Sequence, residues 1–532
     1  MKTYGDRRWL YSALAVAALS TILHFGAELY LLEEPAFPLD DSWIHLQFAR
    51  NLAAGEGMSF QPGRAVAGST APLWTGLLAL GAWSPSLAIV WSKLLGIAFH
   101  LIATAALFSA ARSWGLSALW SGLALLLFVL TDWVQWSALS GMEISLFLAL
   151  STVGLAVHLR WVGADPAERG TLPWATLWFA LAALARPEGL LLLVLSWADA
   201  ALRWETDQDD LRPRLQVGLP WALRQALCAT IVLAPVGLYY LSISGSPLPT
   251  TFGIKSAGDG GVGLPNLRDL WLMVRVVFQP QPWMVLFLGA GLVASLRQAR
   301  RGLLPVLWLF ALPIAFSVLA GGARPNLGNF GRYLFPLFPV LLLVGCRGLD
   351  AATQRLPETL RFGAVRLRLR PLLALAVLAP TALGVLPGLQ RYLTNVANVT
   401  DSDVAAGRWI AENLPPDARL AVQDIGAIAY FAPNPLVDMV GIVNPEILPY
   451  IRGDKMGDHP TRLGGWADFL RQSSVDYLVL FPRSYGGLAA IGEVMPGLVP
   501  VHSIRLERNI TMAADELLVL AVSRSREAPG RE

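Results

Sequence analysis

The sequence predicts a polytopic α-helical membrane protein that ends in a small α/β domain. Three observations carry this. First, the 532-residue chain is 55% hydrophobic and 15% charged, with a mean hydropathy of +0.50; an average soluble domain carries about 25% charge. Second, its apolar residues fall into runs near the ~20 residues that a helix needs to cross a bilayer. Third, from Asp401 the composition turns polar and mixed, with short apolar strands between helical stretches.

Eleven spans are predicted, at about 9–32, 87–111, 116–132, 142–161, 172–186, 187–202, 220–243, 273–296, 303–320, 333–349 and 371–389. The first run is long for a signal peptide and lacks a clear small-residue cleavage site, so it reads as a retained span. The apolar stretch Pro72 to Trp83 is too short to cross and reads as an interfacial or re-entrant helix. Counting it as a span would invert everything after it, and charge argues against that. With a cytoplasmic N-terminus, the inside segments hold Arg7–Arg8, Arg112, Arg160, Arg203 with Arg212 and Arg214, Arg297 with Arg300 and Arg301, and Arg366, Arg368 and Arg370. The segments 33–86, 244–272, 321–332 and the tail then lie outside.

The domains are therefore expected at 1–390, in the membrane, and 391–532, an extracytoplasmic α/β unit. In the tail, helices are expected at Asp403 to Asn413 and near Trp466 to Gln472, with strands at Arg419 to Gln423, Tyr477 to Phe481 and Leu517 to Val522.

A net charge of +3 gives no reason to expect nucleic acid as a partner. Cys228 and Cys346 sit in apolar runs and imply no disulfide framework or cysteine metal site. His24, His45, His100 and His158 show no HxxxH or HExxH spacing, and Walker, nucleophile-elbow and dinucleotide motifs are absent.

Five constellations remain. Asp40 and Asp41 follow the first span and open an amphipathic helix expected to lie along the membrane interface. They read as N-terminal caps, or as a coupled pair suited to a general base or to a divalent cation such as Mg or Mn. Glu143, in Ser140-Gly-Met-Glu143, opens a span and reads as a dipole-favoured acid or a site residue. Arg186 and Glu188 flank Pro187 inside an apolar run, as a local pair or as a cavity-facing one. Lys255, one of four lysines, lies among hydroxyls in an outer loop, and Arg332 starts the tenth span on the same side. Either would suit an anionic group such as a phosphate, although a solvated lysine and a snorkelling arginine are the plainer readings.

The stretch DDSWIHLQFARNLAAGEGMSFQPGRAVAGSTAPLW (Asp40 to Trp74), then SGMEISLF, ARPEGLLL, SPLPTTFGIKSAG and GRYLFPLFP, in that order, resembles the C-type (GT-C fold) membrane glycosyltransferases that use polyprenyl-phosphate sugars. These stretches, with DIGAIAYFAPNPLVDMVGIVNP in the tail, are most similar to the branch containing the mycobacterial terminal arabinofuranosyltransferase. The resemblance implies a catalytic aspartate at Asp40 or Asp41, a lipid-linked sugar monophosphate donor, and a phosphate met by Lys255 and Arg332. Glu143, Arg186 and Glu188 fall in family motifs with less defined roles. Gln47 stands where that branch often has arginine, and His45 where a small hydroxyl residue is common, so the resemblance does not carry arabinose over as the donor sugar.

The expected function is inverting transfer of a sugar from a polyprenyl-phosphate donor to a glycan, lipid or protein hydroxyl, outside a bacterial inner membrane. The second carboxylate would position the acceptor or hold a cation. The rival readings are a lipid or solute transporter with an external sensing domain, and an assembly scaffold whose site has lapsed. Against the transporter, the charges gather at the outer edge and no half-to-half repeat stands out.

Overall fold

A computed structural model describes residues 4–165, 169, 172–206, 211–249, 267–319, 331–354, 356–362, 365–452 and 462–523. Among them, six helical stretches are long and apolar enough to cross a membrane: Arg7–Leu32, Pro85–Trp114, Ile144–Val162, Gly218–Ser244, Arg332–Thr353 and Leu369–Asn413. A seventh is a pair, Ala118–Leu130 and Asp132–Leu139, bent by 57°. Four shorter apolar helices, Trp174–Ala185, Gly189–Leu202, Met284–Arg297 and Leu304–Leu319, stand at the remaining predicted positions. The protein is a multi-pass membrane protein of predominantly helical build.

Two predicted elements are corrected. The third span does not stop at 132: Thr131 is extended (φ −70°, ψ 125°), its carbonyl accepts from Val134 and Gln135, and the chain turns into a second helix. The eighth span breaks, because Pro280 and Pro282 remove two helix donors; Leu267–Phe278 ends before them and Met284–Arg297 begins after. The first-loop helix runs over Asp41–Ala53. Nine of its thirteen residues are buried, because the C-terminal domain covers it.

Labels follow chain order: α1 (Tyr4–Leu32), α2 (Asp41–Ala53), α3 (Pro72–Ala79), α4 (Pro85–Trp114), α5 (Ala118–Leu130), α6 (Asp132–Leu139), α7 (Ile144–Val162), α8 (Trp174–Ala185), α9 (Gly189–Thr206) and α10 (Leu211–Ser244). The C-terminal domain holds a five-stranded sheet, β6-β5-β7-β9-β8, from β5 (Leu420–Val422), β6 (Leu436–Asp438), β7 (Tyr477–Leu480), β8 (Leu498–Arg505) and β9 (Glu516–Val522). Strand β5 runs parallel to β6 and β7, while β9 is antiparallel to β7 and β8. The three predicted strands form the centre of this sheet. Both edges went unpredicted: β6 is three residues long beside prolines, and β8 contains Pro500 and is mostly exposed. Two-stranded hairpins stand at β1 (Ser59–Gln61) with β2 (Arg64–Ala65), and at β3 (Thr359–Phe362) with β4 (Val365–Arg368).

No loop separates bundle from domain. Helix Val385–Val399 continues through a π-helical turn, Thr400–Val404, into Ala405–Asn413. A fully buried polar lock fastens this junction to the bundle. Lys93 Nζ of α4 donates to Glu28 Oε2 of α1 (3.0 Å), to the Leu139 carbonyl (3.0 Å) and to the Tyr392 hydroxyl (2.8 Å). Glu28 Oε1 accepts the Ala36 amide at 2.9 Å, and Tyr392 also donates to Glu28. Burying a charge this deeply is tolerable only when it is paired and hydrogen-bonded, and here each partner comes from a different helix. The lock therefore fixes where the first loop leaves the bundle.

Candidate active site

Strict helix geometry at the start of α2 sends the tandem acids to different partners. Asp40 occupies the N-cap position, yet its side chain makes no bond to its own helix. Its Oδ2 accepts the Gly426 amide and its Oδ1 the Ala427 amide, each at 2.7 Å, at the N-terminus of helix Ile425–Phe431 in the C-terminal domain. Gly426 is required there, since a Cβ would sit 2.2 Å from the Asp40 carbonyl oxygen. The surrounding seam is aromatic: Trp43 packs against Phe37, Tyr430 and Phe431, with centroids 5.0, 5.2 and 5.1 Å away. Arg50 donates to the Tyr430 carbonyl at 2.8 Å.

Burial raises the Asp40 carboxyl to about 7, the Ala427 and Gly426 amides oppose that rise, and Asp41 adds to it. Asp424, at the N-cap of the same docking helix, is raised to about 8 by burial and then by Asp40, Asp41 and Asp438.

Asp41 is the first helical residue, and its side chain is about one-third exposed (34%). Its Oδ2 accepts from Arg332 Nη2 at 2.5 Å. Arg332 is buried, and its Nη1 is sealed from solvent with no hydrogen-bond partner among the described residues. The base of the tenth span thus touches the second acid of the first loop directly. Lys255 lies outside the described residues.

The other candidates converge on this mouth. His45 Nε2 meets Glu143 Oε2 at 3.1 Å; Arg186 donates to Glu143 Oε1 at 2.9 Å and to Glu188 Oε1 at 2.7 Å. The local Arg186–Glu188 pair is real, and Arg186 bridges from it to Glu143. Burial alone would raise the Glu143 carboxyl, but the His45 hydrogen bond and the Arg186 charge hold it below the usual carboxylate range. The Ser140-Gly-Met-Glu143 turn is pinned to the first loop by Ser42, which donates to the Ser140 carbonyl (2.6 Å), and by Trp74, which donates to the Gly141 carbonyl (2.9 Å). Gly141 takes a positive φ of 74° in this turn.

Two groups escaped the sequence reading. Tyr333 lies under both guanidinium groups, 5.3 Å from Arg186 and 5.4 Å from Arg332, and joins the two pairs into one network. It was visible only as part of GRYLFPLFP. Asp403, in the π-helical turn, is fully buried, and its Oδ2 has no partner among the described residues. It was read simply as the start of a helix.

The network can hold an anion and accept a proton. Arg332 offers a buried, unused donor at an anionic neighbour's side, and Asp41 offers a carboxylate to the opening. The tandem acids do not fit a shared divalent cation: Asp40 spends both oxygens on amides, while Asp41 turns towards Arg332. Among the described residues, no group of three or more His, Cys, Asp or Glu side chains gathers as metal ligands.

A family model described as "Domain of unknown function (DUF8728)" matches residues 392–518. The sequence matches no curated protein. Solved structures match the fold across nearly the whole chain. ArnT from Cupriavidus metallidurans in the apo state aligns with a TM-score of 0.59 at 16% identity, covering 99% of this chain and 100% of that one. The same protein bound to undecaprenyl phosphate aligns with a TM-score of 0.59 at 15% identity, covering 98% and 100%. The Archaeoglobus fulgidus oligosaccharyltransferase AglB, in complex with an inhibitory peptide and a dolichol-phosphate, gives 0.55 at 14% identity, covering 90% and 70%. Arabinofuranosyltransferase AftD from Mycobacteria gives 0.50 at 17% identity, covering 98% of this chain but 40% of that one. The architecture is therefore GT-C-like: a polytopic helical bundle with a small mixed-sheet domain seated over its first loop.

Proposed function

We propose that the chain is an inverting glycosyltransferase that moves a sugar from a polyprenyl-phosphate donor to an acceptor hydroxyl. The observation that carries this is the Asp41–Arg332 pair: a part-exposed carboxylate against a buried guanidinium with one donor unused. The fold likeness supports it, since ArnT binds undecaprenyl phosphate and AglB dolichol-phosphate.

In the proposed reaction the donor phosphate takes the free Nη1 of Arg332 and draws the guanidinium from Asp41. With that cation withdrawn, Asp41 becomes the stronger base and accepts the acceptor's hydroxyl proton. The acceptor oxygen bonds to the anomeric carbon from the face opposite the phosphate. The bond from that carbon to the phosphate oxygen breaks, and its electron pair leaves on the polyprenyl phosphate. Arg332 stabilises this growing negative charge, and Lys255 would join it. Asp40 serves position: it ties α2 to the C-terminal domain. His45, Glu143, Arg186 and Glu188 form a rigid polar wall suited to the sugar hydroxyls.

In this reading the membrane domain spans 1–390 and the 391–532 domain stands on the extracytoplasmic side of a bacterial inner membrane. The arginine distribution supports that orientation. The acceptor is a cell-envelope glycan, lipid or protein. His45 and Gln47 in the first-loop helix argue against assigning the sugar by likeness to the arabinofuranosyltransferase branch.

The test is turnover. Purified protein in lipid nanodiscs, incubated with a panel of polyprenyl-phosphate pentoses and hexoses and a mixed envelope acceptor fraction, is expected to release free polyprenyl phosphate from one donor class. The new glycoside should carry the inverted anomeric configuration. Release from none of the panel, or retention of configuration, would contradict the reading.

A further inference from the structure

A second feature lies outside the Asp41–Arg332 mouth. A cleft of about 290 Å³ opens where the β1–β2 hairpin of the first loop meets edge strand β6 of the C-terminal sheet. Its size sits at the lower end of small-molecule sites, about 300 Å³. The two walls belong to different domains. Arg64 and Gln61 come from the hairpin; Asn444, Glu446, Arg419 and Phe469 come from the domain.

The chemistry of this lining is specific. Gln61 closes the open edge of β6: its Nε2 donates to the Leu436 carbonyl at 2.5 Å, and its Oε1 accepts the Leu436 amide at 3.4 Å. The cleft is therefore a fixed shape, and that backbone edge is not left for strand pairing. Asn444 is 6% exposed; its Oδ1 takes the Asp438 amide at 2.9 Å, and its amide donor has no protein partner among the described residues. Arg64 is paired with Glu446, and the Arg419 guanidinium donates to the Ser473 carbonyl at 2.8 Å, so each of the two guanidinium groups is held by a fixed protein partner. Phe469 is half-buried and packs on Tyr450 at 5.3 Å, which leaves an apolar wall facing planar polar groups.

Planar forks and amides in front of an aromatic wall match a ligand with vicinal hydroxyls on one side and C–H bonds on the other. We propose that this cleft binds a neutral oligosaccharide segment of the acceptor. The β1–β2 hairpin follows α2 directly, so a glycan held there lies on the loop that carries Asp41. The proposal rests on the transferase reading for the word acceptor, but the cleft's affinity for glycan can be measured without any transfer.

The experiment is isothermal titration of the full chain in nanodiscs with short neutral pentose and hexose oligosaccharides, and with sulfated versions of them. Wild type is expected to bind one neutral class. The double variant R64A/E446A removes an exposed pair whose loss should not unfold the domain, and it should weaken binding about tenfold or more. Arg419→Met should weaken it similarly. Asp41→Asn, outside the cleft, should bind as wild type does. Cleft-dependent binding alongside failed transfer with every donor would support this inference while removing the transferase reading. No neutral oligosaccharide bound, binding indifferent to both cleft variants, or preference for the sulfated probes would overturn it.

Discussion

Asp41→Asn is expected to lower transfer by about 10²- to 10⁴-fold, the usual contribution of a positioned general base, while the protein still folds and still binds the donor lipid. The physical reason lies in the division of labour between adjacent acids. Asp41 is the one whose side chain reaches the opening, and it has a buried arginine that a phosphate can draw away. Asparagine keeps the shape and one acceptor oxygen for Arg332 but cannot take a proton. Because Asp41 is itself part-exposed and asparagine keeps an oxygen for Arg332, the fold should survive the loss of the charge. Arg332→Lys should not restore the partnership, because a point charge cannot hold Asp41 and a phosphate oxygen at once as a planar fork does. Initial rates of polyprenyl-phosphate release, measured beside the unfolding temperature, separate chemistry from folding.

Asp40 substitutions should fail in a different way. Asp40→Ala strands the buried amides of Gly426 and Ala427, at about 1–3 kcal/mol for each unsatisfied group. Asp40→Asn fares little better, because its amide nitrogen would face one of those N–H groups. Hydrogen exchange should quicken in α2 and in Ile425–Phe431 while the bundle core stays protected. A pH signature follows. With Asp40 raised to about 7 and Asp424 to about 8 from ordinary values of 3.8, the folded seam holds more protons than the unfolded chain between those limits. Their contribution to stability is full below about pH 4 and is lost as pH rises through about 7 to 8. The seam should therefore loosen from pH 5 to pH 8, and Asp424→Asn should flatten that dependence. An unfolding temperature that rises over this window would contradict the assignment.

The bundle was legible because lipid imposes a simple rule: about 20 apolar residues, with arginine clusters at one side. Corrections fell where backbone chemistry intervened, at Thr131 and at the Pro280–Pro282 break. The α2 helix was legible as a helix but not in its setting. An amphipathic pattern reports two faces, and the polar face here meets another domain rather than water. For the same reason Asp40 read as a cap of α2, although the helix it caps lies 385 positions further on, beginning at Ile425. Glu143 and Arg186 stood out as charges beside apolar runs, and their mutual contact at 2.9 Å came only with the fold. The Glu28–Lys93–Tyr392 lock left only one trace in the sequence, a rare lysine, because its partners lie on separate helices. Tyr333 showed only inside the GRYLFPLFP stretch, since an aromatic at a span end commonly anchors at the interface.

The account rests on a lipid phosphate meeting the same mouth as Asp41. The most direct measurement is a structure of the full chain in nanodiscs with bound polyprenyl phosphate. The account predicts the phosphate within hydrogen-bonding distance of Arg332 Nη1, with the Asp41–Arg332 contact opened. A phosphate seated elsewhere, with that contact intact, would contradict it.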